Sequence, residues 1–150
     1  MGRVIQTGDT PAKRRRAHQR SCAEVLRLLA QNAGLATGRF DEEARDMVAF
    51  LVHNLRGIYR TIDESAHAWD ERNYWKKSEK LRADWLWARY AADDLEALLL
   101  TQNWAAIPPA LIALVPRFQD VTVTKLTRDS DWWCGAYRAL QKAAAKKAEA

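Results

Sequence analysis

The strongest constraint on the fold is a mostly apolar pattern of helical period that runs, with one break, from residue 44 to residue 99. Its members recur in steps of three and four, the spacing that aligns side chains along one face of an α-helix. The first stripe consists of Ala44, Val48, Leu51, Leu55, Ile58 and Ile62. The second consists of Tyr74, Ser78, Leu81, Trp85, Ala88, Ala92, Leu95 and Leu99. Both stripes predict long helices that pack against other helices.

The break between the stripes predicts how the two helices are connected. The first stripe extends to Trp69, and the second begins five residues later, at Tyr74. A step of five interrupts a helical seam, and the residues in between are polar. The pattern therefore predicts a turn near residues 69–73 that joins two antiparallel helices. One continuous bent helix is the alternative, because neither glycine nor proline lies between Arg60 and Leu100.

A further helix is predicted before this hairpin. Thr10 followed by Pro11 is a typical helix start, with a hydroxyl N-cap and a proline at the first helical position. The apolar face of this helix comprises Cys22, Val25, Leu26 and Leu29. Its first two turns lie outside that face, and we expect them to project beyond the core. Asp41 is the expected N-cap of the first hairpin helix.

The regular helical spacing of apolar residues ends after the hairpin. Residues 101–128 contain three of the four prolines and are predicted to be irregular. A last helix, capped by Asp129 or Ser130, is expected to continue into an Ala/Lys-rich tail from about residue 142. Its predicted apolar face comprises Trp133, Tyr137, Leu140 and Ala144. The sequence therefore predicts an all-α, single-domain bundle of four or five helices built on a long antiparallel helical hairpin.

The net charge of +5 is concentrated at the start of the chain. Residues 1–20 carry six cations, Arg3, Lys13, Arg14, Arg15, Arg16 and Arg20, whereas Asp9 is their only anion. Residues 21–150 carry equal numbers of cations and anions. This distribution divides the chain into a basic N-terminal arm (residues 1–20) leading into the first helix and a neutral all-helical domain (residues 21–150). Such an arm favours an anionic partner; a solvated end that aids solubility is the alternative.

Composition argues against several protein classes. No apolar run reaches the roughly 20 residues that a membrane-spanning helix needs, so no membrane span is expected. The first twenty residues lack the apolar segment of a secretory signal. Two cysteines, Cys22 and Cys134, are too few for a disulfide scaffold. A cytoplasmic location is therefore expected.

No complete catalytic or metal-binding pattern is present in the sequence. Glu64 and His67 have the one-turn spacing of carboxylate-bridged metal sites, but such sites need a second motif and two more carboxylates. Cys134 stands at the expected start of the last helix, where a thiol pKa can fall, yet no histidine is near it in sequence. Nucleophile-elbow and phosphate-loop motifs are missing. We therefore expect no enzymatic activity, metal or cofactor.

Two of the seven tryptophans are candidates for binding. Trp87 lies off the second stripe, on a helical face with Lys76 and Lys80, and such a combination can hold phosphates and stack a base. Alternatively, Trp87 packs on a third helix while the lysines extend outward. Trp132 adjoins Trp133, and neighbours on a helix point about 100° apart. Trp132 is thus a candidate partner contact, unless both rings fill the gap beside the irregular segment.

These observations predict a non-enzymatic nucleic-acid-associated module that binds the DNA or RNA backbone non-specifically. The candidate contacts are Arg3, Lys13, Arg14, Arg15, Arg16, Arg20, Lys76, Lys80 and Trp87. Consecutive arginines at 14–16 fan around the helix, which suits backbone contacts better than base recognition. The alternative is a protein-interaction or assembly subunit that uses Trp132 and the hairpin, with another protein or with a second copy.

Overall fold

Six α-helical segments and no strands are present in residues 9–149, which the computed structural model describes. They are α1 (Pro11–Ala30), α2 (Glu42–Glu71), α3 (Trp75–Leu100), α4 (Ile107–Leu114), α5 (Ser130–Trp133) and α6 (Ala136–Glu149). Five have eight residues or more, and α5 is a single turn. The predicted all-α bundle built on a long helical hairpin is confirmed, with α2 and α3 as the hairpin.

The hairpin turn is confirmed, and the bent-helix alternative is excluded. Asn73 adopts a left-handed conformation with φ of 63°. The Tyr74 amide donates to the Trp69 carbonyl oxygen at 3.0 Å, and the Asn73 amide donates to that of Asp70 at 2.9 Å. This pair of bonds is a Schellman motif, which ends a helix at a left-handed residue. Asparagine tolerates that conformation, so the helix ends without glycine or proline.

The α2 stripe forms the centre of the core. All six of its members are fully buried, and the α1 face Cys22, Val25, Leu26 and Leu29 is buried as well. From α3, the stripe members Ser78, Ala88, Ala92, Leu95 and Leu99 are buried. The inclusion of Tyr74 in that stripe is wrong, because half of its surface is exposed. Tyr74 is the residue just before α3, beyond the end of the packed core.

The two predicted helix starts are confirmed by direct hydrogen bonds. The Thr10 hydroxyl accepts from the Lys13 amide at 3.1 Å, and the Asp41 carboxylate accepts from the Ala44 amide at 2.8 Å. Each cap satisfies an amide that has no partner within its own helix.

Residues 101–128 are more ordered than the sequence suggests. They contain α4 and two short 3₁₀ turns, Trp104–Ala106 and Val115–Phe118. Pro108 and Pro109 fall in the first turn of α4, where the missing amide hydrogen of proline is not needed. These prolines therefore start a helix. Beyond Phe118, the chain has no helix or strand until α5.

The last helix is interrupted, which corrects the prediction of one continuous helix from Asp129. Asp129 caps α5, and the chain then turns at Gly135, with φ of 81°. The start of α6 is fixed by Asp46, a buried carboxylate of α2. It accepts from the amides of Gly135 at 3.2 Å and Tyr137 at 2.9 Å. This cap stands 91 positions before Tyr137, so local sequence gives no sign of it.

Candidate nucleic-acid interface

The first turns of α1 lie against α2 and do not project from the bundle. The Arg14 guanidinium makes two hydrogen bonds to the Glu64 carboxylate, at 2.6 and 2.9 Å, and a third to Asp9 at 3.0 Å. The hydrogen bond from Arg14 lowers the pKa of Glu64. Because α2 has 30 residues, it extends past the apolar face of α1 and offers polar partners to these arginines. The expectation that these turns project beyond the core is therefore wrong.

Arg15 is also held by α2. Its Nε donates to the Thr61 hydroxyl at 3.1 Å, and its Nη2 donates to the Ser65 hydroxyl at 3.0 Å. The guanidinium carbon lies 5.8 Å from the centre of the Trp85 ring. Burial lowers the pKa of Arg15, and the neighbouring Arg16 lowers it further. Arg15 therefore ties α1 to both hairpin helices.

Arg20 belongs to a third intramolecular cluster. Its Nε donates to the buried carboxylate of Glu24 at 2.6 Å, and its Nη2 donates to the carbonyl oxygen of Lys125. Three of the six arm cations thus have partners within the fold. Lys13 and Arg16 are exposed and make no side-chain hydrogen bond or ion pair with residues 9–149. Arg3 lies outside the described residues.

The tip of the hairpin exposes two aromatic rings, of which the sequence patterns did not single out Trp75. Trp75, the first residue of α3, is 64% exposed, and Tyr74 is 50% exposed. Trp69 packs edge-on against Tyr74, and the Lys77 ammonium lies 4.9 Å from the Trp69 ring centre and 5.5 Å from that of Tyr74. The Trp75 ring has neither an aromatic nor a cationic partner in the part of the chain described. In the sequence, the position of Trp75 just after the polar turn is the feature that could have identified it as exposed.

Trp87 and the two lysines predicted to share its face have different surroundings. Trp87 is half-buried and packs edge-on against Phe118 at 5.8 Å, with the Arg117 guanidinium 4.9 Å from its ring centre. Lys80 pairs with Asp84 at 3.0 Å. Lys76 is exposed and, among residues 9–149, makes no side-chain hydrogen bond or ion pair. Trp87 therefore contributes to packing, and Lys76 is the more available cation.

The start of α1 and the tip of the hairpin share one end of the bundle. A surface depression brings together Pro11 of α1, Glu71 at the end of α2 and Arg82 of α3. Arg82 links the hairpin helices through Asp63 at 2.9 Å and Asp70 at 3.1 Å. We call this surface the hairpin end. Its candidate contacts are Lys13, Arg16, Arg72, Tyr74, Trp75 and Lys76.

The remaining sequence candidates are separated in the structure. Glu64 binds Arg14, whereas His67 pairs with Glu71 at 3.0 Å. Within residues 9–149, no group of three His, Cys, Asp or Glu side chains is placed to hold a metal ion. Cys22 is buried, which raises the pKa of its thiol, and Cys134 is exposed.

The adjacent tryptophans divide between core and surface. Trp133 is buried, and its indole nitrogen donates to Glu43 at 3.4 Å. Trp132 is 51% exposed, and the Arg128 guanidinium lies 4.5 Å from its ring centre. The packing thus leaves Trp132 on the surface, next to the start of α6.

No helix in residues 9–149 is long and apolar enough to cross a membrane. The chain matches no known family model, no curated protein and no solved structure with significance.

Proposed function

We propose that the chain is a non-enzymatic module that binds the backbone of DNA or RNA non-specifically through its hairpin end and its basic arm. The observation that carries this proposal is the exposed Trp75 ring at the hairpin end, which also presents cations that make no ion pair with residues 9–149. Proteins that bind single strands without sequence preference combine such cations, which contact phosphates, with aromatic rings on which bases stack.

The charges at the hairpin end support the proposal. Asp63 and Asp70 are paired with Arg82, and Glu64 is paired with Arg14. These ion pairs offset part of the carboxylate charge at the hairpin end. A phosphate can approach Lys13, Arg16, Arg72 and Lys76 without displacing a partner in residues 9–149.

The arm cations then fall into two groups. Arg14, Arg15 and Arg20 would have to leave their partners to reach a phosphate, and we assign them mainly to holding α1 in place. Arg3, Lys13 and Arg16 are the proposed contacts from the arm. Lys76 and Arg72 add contacts from the hairpin. Lys80 is paired with Asp84 and Trp87 packs against Phe118, so we do not propose them as contacts.

A protein-interaction module is the second candidate, favoured by the half-exposed Trp132. Tryptophan is frequent at the centre of protein interfaces, and the Arg128 guanidinium lies over this ring. Ionic strength separates the two functions, because phosphate binding weakens steeply with salt and a tryptophan-centred interface does not.

We expect labelled single-stranded oligonucleotides to bind with a strong salt dependence. Five phosphate contacts predict a log–log slope of about −3.5. The triple variant Lys13→Ala, Arg16→Ala, Lys76→Ala should flatten this slope by about 2 and weaken binding at low salt. Fluorescence anisotropy across a salt series measures both quantities.

A matched triple variant controls for net charge: Arg89→Ala, Lys142→Ala, Lys146→Ala. It removes three exposed cations from other surfaces, so its slope should stay near that of the wild type. Trp75→Ala should weaken single-strand binding about tenfold and leave the slope unchanged, because it removes only stacking. Equal losses in both triple variants, or no binding at low salt, would refute the proposal.

A further inference from the structure

A second candidate site is a groove between α2 and α6, which shares only Arg60 with the depression at the hairpin end. The groove has a volume of about 430 Å³ and is lined by one face of α2, the small residues of α6 and the segment around Cys134. Asp46 fixes its geometry, because this residue of α2 caps the start of α6. A volume of this size lies within the range of small-molecule sites.

Two arginines line one end of the groove. Arg60 is exposed and makes no side-chain hydrogen bond or ion pair with residues 9–149. Arg56 lines the groove beside it, although its guanidinium is bound to Glu96 at 2.8 Å and Asp93 at 3.0 Å. None of the thirteen lining residues is acidic. Arg60 is thus a cation that a ligand can approach without displacing a partner.

The other end of the groove is apolar. Phe50 and Trp132 lie there, and their ring centres are 6.4 Å apart. The wall along α6 consists of Ala136, Ala139, Leu140 and Ala143. From Ala49 to Arg60, α2 rises about 16 Å, at roughly 1.5 Å per residue, so the apolar and charged ends lie well apart.

We propose that this groove binds a small amphiphilic carboxylate, with its aliphatic chain along the alanine wall of α6 and its charged head at Arg60. The cation that lines the groove and the volume of the groove together favour this class of ligand. The groove offers a free cation at one end and an apolar surface at the other. A docked helix fills on the order of 400 Å³ per turn, so the groove would hold only one turn of a helix. This proposal does not rest on the proposed nucleic-acid binding, although Arg60 borders both surfaces.

Cys134 provides a direct readout of occupancy, because it lines the groove and is exposed, whereas Cys22 is buried. We expect octanoate, used as the probe, to slow alkylation of Cys134 by the uncharged reagent N-ethylmaleimide, as followed by intact mass. Octanol, which has the same chain without the charge, should protect much more weakly. Arg60→Gln should raise the octanoate concentration needed for half-protection about tenfold.

Arg89→Gln is the matched control, since it removes an exposed arginine from α3, outside the groove. It should leave the protection by octanoate unchanged. Equal protection by octanol and octanoate would overturn the proposal, because the charged end would then contribute nothing. The proposal would also be overturned if octanoate protected Arg60→Gln as well as it protects the wild type, or if millimolar octanoate gave no protection.

Discussion

Replacing Glu24 with alanine should lower the free energy of unfolding by about 3–5 kcal/mol, because it removes one partner from a buried charge cluster. The Glu24 carboxylate is fully buried in α1. It accepts hydrogen bonds from Arg20 Nε at 2.6 Å, from the Thr127 amide and hydroxyl at 2.5 and 2.7 Å, and from the Arg128 amide at 2.8 Å. Urea denaturation measures the loss.

The same variant should release the segment between Phe118 and α5, which has no helix or strand of its own. Hydrogen exchange at the Thr127 and Arg128 amides should therefore accelerate more than exchange in the α2 core. Glu79→Ala, which removes an exposed carboxylate of α3, is the control and should change stability by less than about 0.5 kcal/mol. A comparably small loss in Glu24→Ala would contradict the assigned role.

Glu24 also makes stability depend on pH. Burial by itself raises the pKa of this carboxyl, but hydrogen bonds from Arg20, Arg128 and Thr127 outweigh burial and lower the pKa from 4.5 to about 2. The stabilisation is therefore fully present above about pH 5 and is lost as the pH falls toward 2. Wild type should lose more stability than Glu24→Gln over that interval.

Gly57→Ala should lower the free energy of unfolding by about 2 kcal/mol, although alanine is the better helix former. Gly57 lies in the middle of α2, where the imidazole of His18 packs against it. A Cβ at this position would overlap the ring, with Cε1 at 2.5 Å and Cδ2 at 2.7 Å. His18 is fixed there by a hydrogen bond of 2.8 Å between its Nδ1 and the Oδ1 of buried Asn54.

The effect of Gly57→Ala should reverse sign in a His18→Ala background. With the ring removed, the added methyl group has space, and the helix gains up to about 1 kcal/mol from the better propensity of alanine. Thermal or urea unfolding of the four proteins in this cycle gives the coupling between the two positions. Equal destabilisation in both backgrounds would show that the ring is not the obstacle.

The sequence predicts those parts of the fold that depend on neighbouring residues. The α2 stripe follows from spacings of three and four residues, and the Thr10 and Asp41 caps follow from the residue types at the helix starts. All three are confirmed. The break before α6 and the space at Gly57 depend on residues far apart in the chain, namely Asp46 and His18. No local pattern contains such pairs.

In the candidate site too, the sequence predicts local features but does not predict contacts between residues far apart in the chain. The sequence identifies the arginines of the arm, but it does not show that Glu64 binds Arg14 or that Thr61 binds Arg15. These partners lie 50 and 46 positions later in the chain, respectively. Trp75 was missed because its exposure depends on where the packed core ends, which periodicity alone does not define.

The cap that Asp46 provides makes α6 a reporter on the hairpin. No residue of α6 is fully buried, although Ala136, Tyr137 and Leu140 pack against the core. The first turn of α6, whose nucleation is unfavourable, is stabilised by a carboxylate that belongs to α2. Helicity at residues 136–149 is therefore conditional on an intact α2. A spectroscopic label on α6 would register loosening at the centre of the bundle, although the label itself sits on the surface.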